Sequence, residues 1–178
     1  MAVIIGGSIS TLEVIMSNAD TESALYSQVG FIVIMWGHCE QSLELLVTTL
    51  FREYGGNALP KRKKMPKQLS EKLSFVKECA AGMPLLKPFR TEIERLARKF
   101  EALTQKRHDL VHGALTDEPV IDGVYSFIRL ETHPDIHEVK DFQYDLKAFP
   151  SLAKSLVGLG TDTPKVAKRV YDARPKRP

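Results

Sequence analysis

The chain has 178 residues, 43% hydrophobic and 26% charged, with a formal net charge of +3. That is the make-up of an ordinary globular protein with room for one substantial core, and it leaves no length for a second large domain. The longest apolar run, Gly30 to Trp36, is too short to cross a bilayer, and Met1–Gly7 lacks the basic start of a secretory signal, so a single cytoplasmic domain over residues 1–178 is expected.

Residues 1–19 carry few signals, with Asn18 and Asp20 as plausible caps for a first helix. From about Asp20 to Tyr54 the pattern is helical. Val29, Ile32, Val33, Trp36, Leu43, Leu46, Val47, Leu50 and Phe51 recur at three- and four-residue steps, and Gly55-Gly56 ends the run. A basic loop over 57–65 comes next. Pro66 then opens a second helix to about Ala81, with Leu69, Leu73, Val76 and Ala80 inward. Gly82 and Pro84 break it, and a third helix runs from near Pro88 to His112, where Gly113 stops it.

After Gly113 the period changes. Residues 120–131 and 138–144 alternate and favour β structure, which predicts a hairpin turning at 132–137. A further helix is expected from about Asp145 to Leu159, using Leu146, Phe149, Leu152, Leu156 and Val157, with another turn or two at 164–171 and a frayed basic tail over 172–178. The sum is an all-α, up-and-down helical bundle with a small C-terminal β-hairpin appendage at 120–144.

Charge is distributed unevenly. Residues 60–107 hold fourteen basic and five acidic side chains, whereas 1–59 hold one basic and six acidic. Concentrated Lys and Arg mark a polyanion binder, and Lys61, Arg62, Lys63, Lys64 and Lys67 are the candidate nucleic-acid contacts. A solvated helical face with a basic loop would look the same. Cys39 and Cys79 sit among apolar neighbours without C-x-x-C spacing, so both are expected as free buried thiols.

The third helix holds an irregularity. Its apolar positions Phe89, Ile93, Leu96, Phe100 and Leu103 are spaced four, three, four, three, so the stripe continues to positions 107 and 110. Position 110 is leucine, but position 107 is Arg107. In the first helix one track, through Trp36, Leu43, Val47 and Leu50, places Glu40 in core register, while a second passes through Cys39 instead. A charge on a core stripe is costly unless paired, so a buried Glu40–Arg107 ion pair fixing helix register is the purely structural expectation.

The segment also holds His108, Asp109 and His112. His108 and His112 share a helix face, and His112 lies in the final turn, where the negative end of the helix dipole favours an imidazolium. An imidazole there can take or return a proton, and a guanidinium beside it can hold a phosphate and stabilise developing charge. The His108–His112 spacing also suits two metal ligands. However, there is no H-E-x-x-H, and His38, Cys39, His133 and His137 show no convergent spacing. No metal is therefore assigned.

Arg107-His-Asp-Leu-Val-His112 resembles the R-x(4–6)-H motif of HEPN domains, in which a polar residue commonly follows the arginine. The resemblance covers about residues 20–160 and includes the long first helix with its acidic residue, a second helix, and a motif ending the third. It implies an all-α bundle that dimerises, bringing two motifs into one cleft. It also implies a metal- and cofactor-independent endoribonuclease of toxin–antitoxin or antiviral systems that leaves a 2′,3′-cyclic phosphate. Carried over, Arg107, His112 and His108 are the catalytic candidates and Glu40 and Asp109 the supporting acids. RNA, a second copy of the chain and an antitoxin protein are the implied partners. Two features depart from the pattern. Ala114 stands where one branch of the family has a tyrosine, and the hairpin at 120–144 has no place in the minimal bundle. A non-catalytic nucleic-acid- or partner-binding module is the alternative, and a purely structural protein the third.

Overall fold

A computed structural model describes residues 9–58, 64–133 and 136–175. Four helices, α1 (Ile9–Glu53), α2 (Leu69–Gly82), α3 (Arg90–His112) and α4 (Phe149–Asp172), pack into a bundle. A three-stranded antiparallel sheet, β1 (Ala114–Leu115), β2 (Val124–His133) and β3 (Ile136–Asp145), in the order β1-β2-β3, is inserted between α3 and α4. The chain is thus mostly helical with a small sheet. None of the helices among the described residues is long and apolar enough to cross a membrane.

The expected stripes form the core. Ile32, Trp36, Leu43, Leu46, Val47 and Leu50 of α1 are buried with Leu73, Val76 and Ala80 of α2, and with Ile93, Leu96 and Phe100 of α3. Trp36 meets Phe100 edge-on at 5.8 Å, an arrangement that suits the ring quadrupoles. Val33 and Val157 are exceptions: both are apolar at helical spacing, and both are exposed. Cys39 and Cys79 are both buried, and burial pushes the Cys39 thiol up to about 11.

Several boundaries differ from expectation for physical reasons. Helix α1 already runs from Ile9, so Asn18 and Asp20, expected as caps of its start, lie within it. The two segments expected on either side of Pro164 are one helix, α4. Gly160, four residues before that proline, packs where an added Cβ would lie 3.3 Å from Met35 and His38. Helix α4 therefore lies close against α1, and its buried Leu156, Leu159, Thr163, Val166, Ala167 and Val170 keep it continuous past the missing N–H. At the start of α2, the Glu71 carboxylate accepts the backbone N–H groups of Lys67 and Gln68, so the helix begins at Leu69 and not at Pro66. Arg174, expected in a frayed tail, lies 3.8 Å over the Tyr171 ring and donates to its carbonyl.

The two glycine stops work differently. Gly55 ends α1 at φ +76°, a left-handed conformation that glycine adopts without strain. Gly113 is extended, and its need is space: a Cβ there would lie 2.5 Å from the Phe142 ring of β3 and 2.6 Å from the Asp109 carbonyl. Gly113 is what lets the sheet close onto the last turn of α3.

Candidate functional site

That closure creates the site. Strand β2 turns Tyr125, Phe127 and Arg129 inward, and β3 turns Phe142 and Tyr144 the same way. The Phe127 and Phe142 rings stack at 5.2 Å, and the Tyr144 hydroxyl donates to Gln28 of α1 at 3.0 Å. A two-residue period thus places Arg129 directly over the final turn of α3.

Arg129 is 6% exposed, and its guanidinium gathers three groups. It forms ion pairs with Asp109 of α3 and with Glu131 of its own strand. Its Nη1 also donates to His108 Nδ1 at 2.8 Å. A guanidinium only donates, so His108 Nδ1 must accept, and the ring is neutral with its proton on Nε2. Although His108 is exposed overall, partial desolvation and then the Arg129 charge depress its pKa below the usual histidine value. Lys140 of β3 pairs with Glu131 at 2.5 Å, and Lys140 and then Arg129 hold the Glu131 carboxyl below the usual carboxylate range.

Arg107 lies half-buried on the stripe where its spacing put it, but not against Glu40. Its Nη1 is 3.4 Å from His112 Nε2, and its buried Nε has no hydrogen-bond partner. No hydrogen bond or ion pair joins Glu40 to Arg107 among the described residues. Glu40 instead lines a separate depression with Gln41, Glu44, Met65, Pro66, Lys67 and Lys72. The sequence track through Glu40 is one of two on α1, and Cys39, on the other, takes the core position. The expected register-fixing pair is therefore absent, and Glu40 is not placed to orient Arg107.

The histidine rings lie 4.8 Å apart, tilted by 54°. His112 is exposed at the carbonyl end of α3, next to Arg107. The sequence-predicted Arg107, His108, Asp109 and His112 therefore converge, and Arg129 and Glu131 join them. The rule that marks Arg107, a charge on a buried stripe, also marks Arg129 once it is applied at period two along Tyr125, Phe127 and Arg129. Among the described residues no three His, Cys, Asp or Glu side chains come together as a metal-binding group.

Of the candidate nucleic-acid contacts, Lys64 and Lys67 are exposed, and Lys61, Arg62 and Lys63 lie outside the described residues. Several basic side chains in the positive block pair with acids on a neighbouring helix. Lys72 pairs with Glu44 of α1 at 2.6 Å, Lys77 with Glu101 at 2.5 Å, and Lys99 with Asp162 of α4 at 2.9 Å. Beside the site, a groove of about 420 Å³ runs between α3, β3 and α4, bordered by Lys106, Asp109, Gln143 and Ser155. No family model, curated protein or solved structure matches this chain.

Proposed function

We propose that this chain is a metal-independent endoribonuclease of the HEPN type, acting as a homodimer in a toxin or antiviral role. The observation that carries the reading is the contact between Arg107 and His112 at the exposed end of α3, with a second, neutral imidazole beside them. In this arrangement His112 Nε2 accepts from Arg107 and carries a free lone pair when the contact opens. It takes the proton of a ribose 2′-hydroxyl, the 2′-oxygen attacks phosphorus, and the bond to the 5′-oxygen breaks. In a composite cleft the leaving oxygen receives its proton from the protonated His112 of the second copy. Arg107 offsets the charge on the non-bridging oxygens. His108, locked by Arg129 with its proton on Nε2, donates to a phosphate oxygen without entering the proton exchange. Lys64 and Lys67 add nonspecific attraction for the RNA backbone, which weakens as salt rises.

The test is incubation of the purified chain with mixed RNA in excess chelator, with end-group analysis of the products. The expected result is cleavage leaving 2′,3′-cyclic phosphates, reduced about a hundredfold or more in both Arg107→Ala and His112→Ala. Equal cleavage by the wild type and both variants overturns the reading. A non-catalytic binding module is the second reading, favoured by the exposure of Lys64 and Lys67. It predicts RNA binding lost on neutralising those lysines and unchanged in His112→Ala.

A further inference from the structure

Among the described residues, strand β3 has a neighbour on one side only. The sheet order is β1-β2-β3, and residues 137–141 of β3 are exposed without interruption. A long unpaired edge is a template for another strand unless something blunts it. Here the charges on the edge would repel some partners and fit one.

The cross-strand register sets the pattern. Arg129 stands directly opposite Lys140, and Glu131 directly opposite Glu138. Both pairs carry like charges on the same face of the sheet, an unfavourable arrangement in a lone hairpin. The diagonal Lys140–Glu131 pair and the Arg129–Glu131 pair within β2 relieve part of it, while Glu138 has no ion pair within 4.0 Å among the described residues. On the opposite face, Leu130 stands across from Val139 with Ile128 beside it, and the three are 62%, 59% and 40% exposed. One face therefore needs alternating charge beyond β3, and the other needs apolar cover.

We propose that a second copy of this chain docks antiparallel along the β3 edge, about a two-fold axis through Val139, making one six-stranded sheet. That register sets Glu138 of each copy opposite Lys140 of the other, and His137 opposite Asp141. On the apolar face Val139 meets Val139, which extends the Leu130–Val139 patch across the axis. Moving the axis to residue 138 or 140 would oppose Glu138 to Glu138 or Lys140 to Lys140. An axis shift of half that step would send each strand's inward residues to the wrong face. Among the registers centred on residues 138, 139 and 140, the one at Val139 alone has unlike charges in direct opposition.

The second copy also extends the candidate site. The ion-pair chain Asp109–Arg129–Glu131–Lys140 would continue onto Glu138 of the second copy, linking the group that holds His108 to the dimer interface. The two Arg129 residues would lie on the same face, separated by three strand spacings, about 14 Å, plus a short offset along the strands. This inference rests on the strand edge and not on the ribonuclease reading, so a dimer without nuclease activity leaves it standing.

Light scattering of the full chain, with mild oxidation of Val139→Cys, tests it. The expected result is a wild-type dimer and a disulfide-linked Val139→Cys dimer, since paired antiparallel residues bring their Cβ atoms to about 4.5–5.5 Å, near disulfide range. Lys140→Glu should raise the dimer Kd about tenfold or more by facing Glu138 with a like charge. Adding Glu138→Lys should restore dimerisation, because the swapped pair is again complementary. A monomeric wild type at the highest soluble concentration overturns the proposal. So does a dimer that ignores Lys140→Glu and leaves Val139→Cys unlinked.

Discussion

From Ile93 to Phe100, helix α3 presents buried apolar side chains to Trp36 and the rest of the bundle; from Arg107 to His112 the same helix presents charged and titratable groups to a sheet. The stem is held by close packing, which tolerates no missing volume. The last turn is held by a guanidinium that three groups share, and by a glycine that lets a ring approach. The contrast separates what keeps the chain folded from what keeps the site in shape. One helix carries both because Arg129 arrives from β2 where the apolar partners stop.

Substitutions should part the two regions. The largest effect is expected for Phe100→Ala in the stem, a loss of about 3–5 kcal/mol in chemical denaturation from the cavity it leaves. Arg129→Gln removes the guanidinium from Asp109 and should cost on the order of 1–3 kcal/mol. A larger loss than Phe100→Ala would show that the bundle, too, depends on the sheet. Gly113→Ala forces the Phe142 ring away and should cost about 1–3 kcal/mol by overpacking. It should also lower any RNA cleavage, because the sheet no longer seats on α3.

The pH response sharpens the same line. In an NMR titration the His108 midpoint should lie below the usual histidine value, and Arg129→Gln should move it up. The sign comes from the depressed folded value. As pH falls through the ordinary histidine value, about 6.5, the unfolded chain takes up a proton that folded His108 refuses, so stability drops on acidification and this contribution is complete above neutrality. A His108 midpoint unmoved by Arg129→Gln would separate the ring from the guanidinium. The smallest effect is expected for Lys77→Ala, whose exposed pair with Glu101 should contribute less than about 1 kcal/mol in thermal melts.

Much of the bundle is legible from periodicity. The stripes on α1, α2 and α3 can be read because burial on a helix repeats every three to four residues, whatever the partner. Arg107, His108, Asp109 and His112 stand out for the same reason, as polar groups where that repeat calls for apolar ones. The failures have local causes. Glu40 lies on one of two tracks on a wide helix face, and only packing chooses between them. Pro164 has the look of a break, but Gly160 and the apolar face of α4 hold the helix through it.

The sequence by itself determined the stripes of the first three helices, a hairpin and a polar last turn on α3, because each arises from local spacing and backbone preference. Only the tertiary structure decided what that turn meets. Arg129 is separated from Asp109 by a loop and a strand, and no periodicity relates a helix end to a strand laid across it. Contact between them required Gly113 to admit Phe142, and with it β3 and β2, against α3. With that contact made, Asp109 and His108 are tied to the sheet, while His112 is left exposed beside the half-buried Arg107.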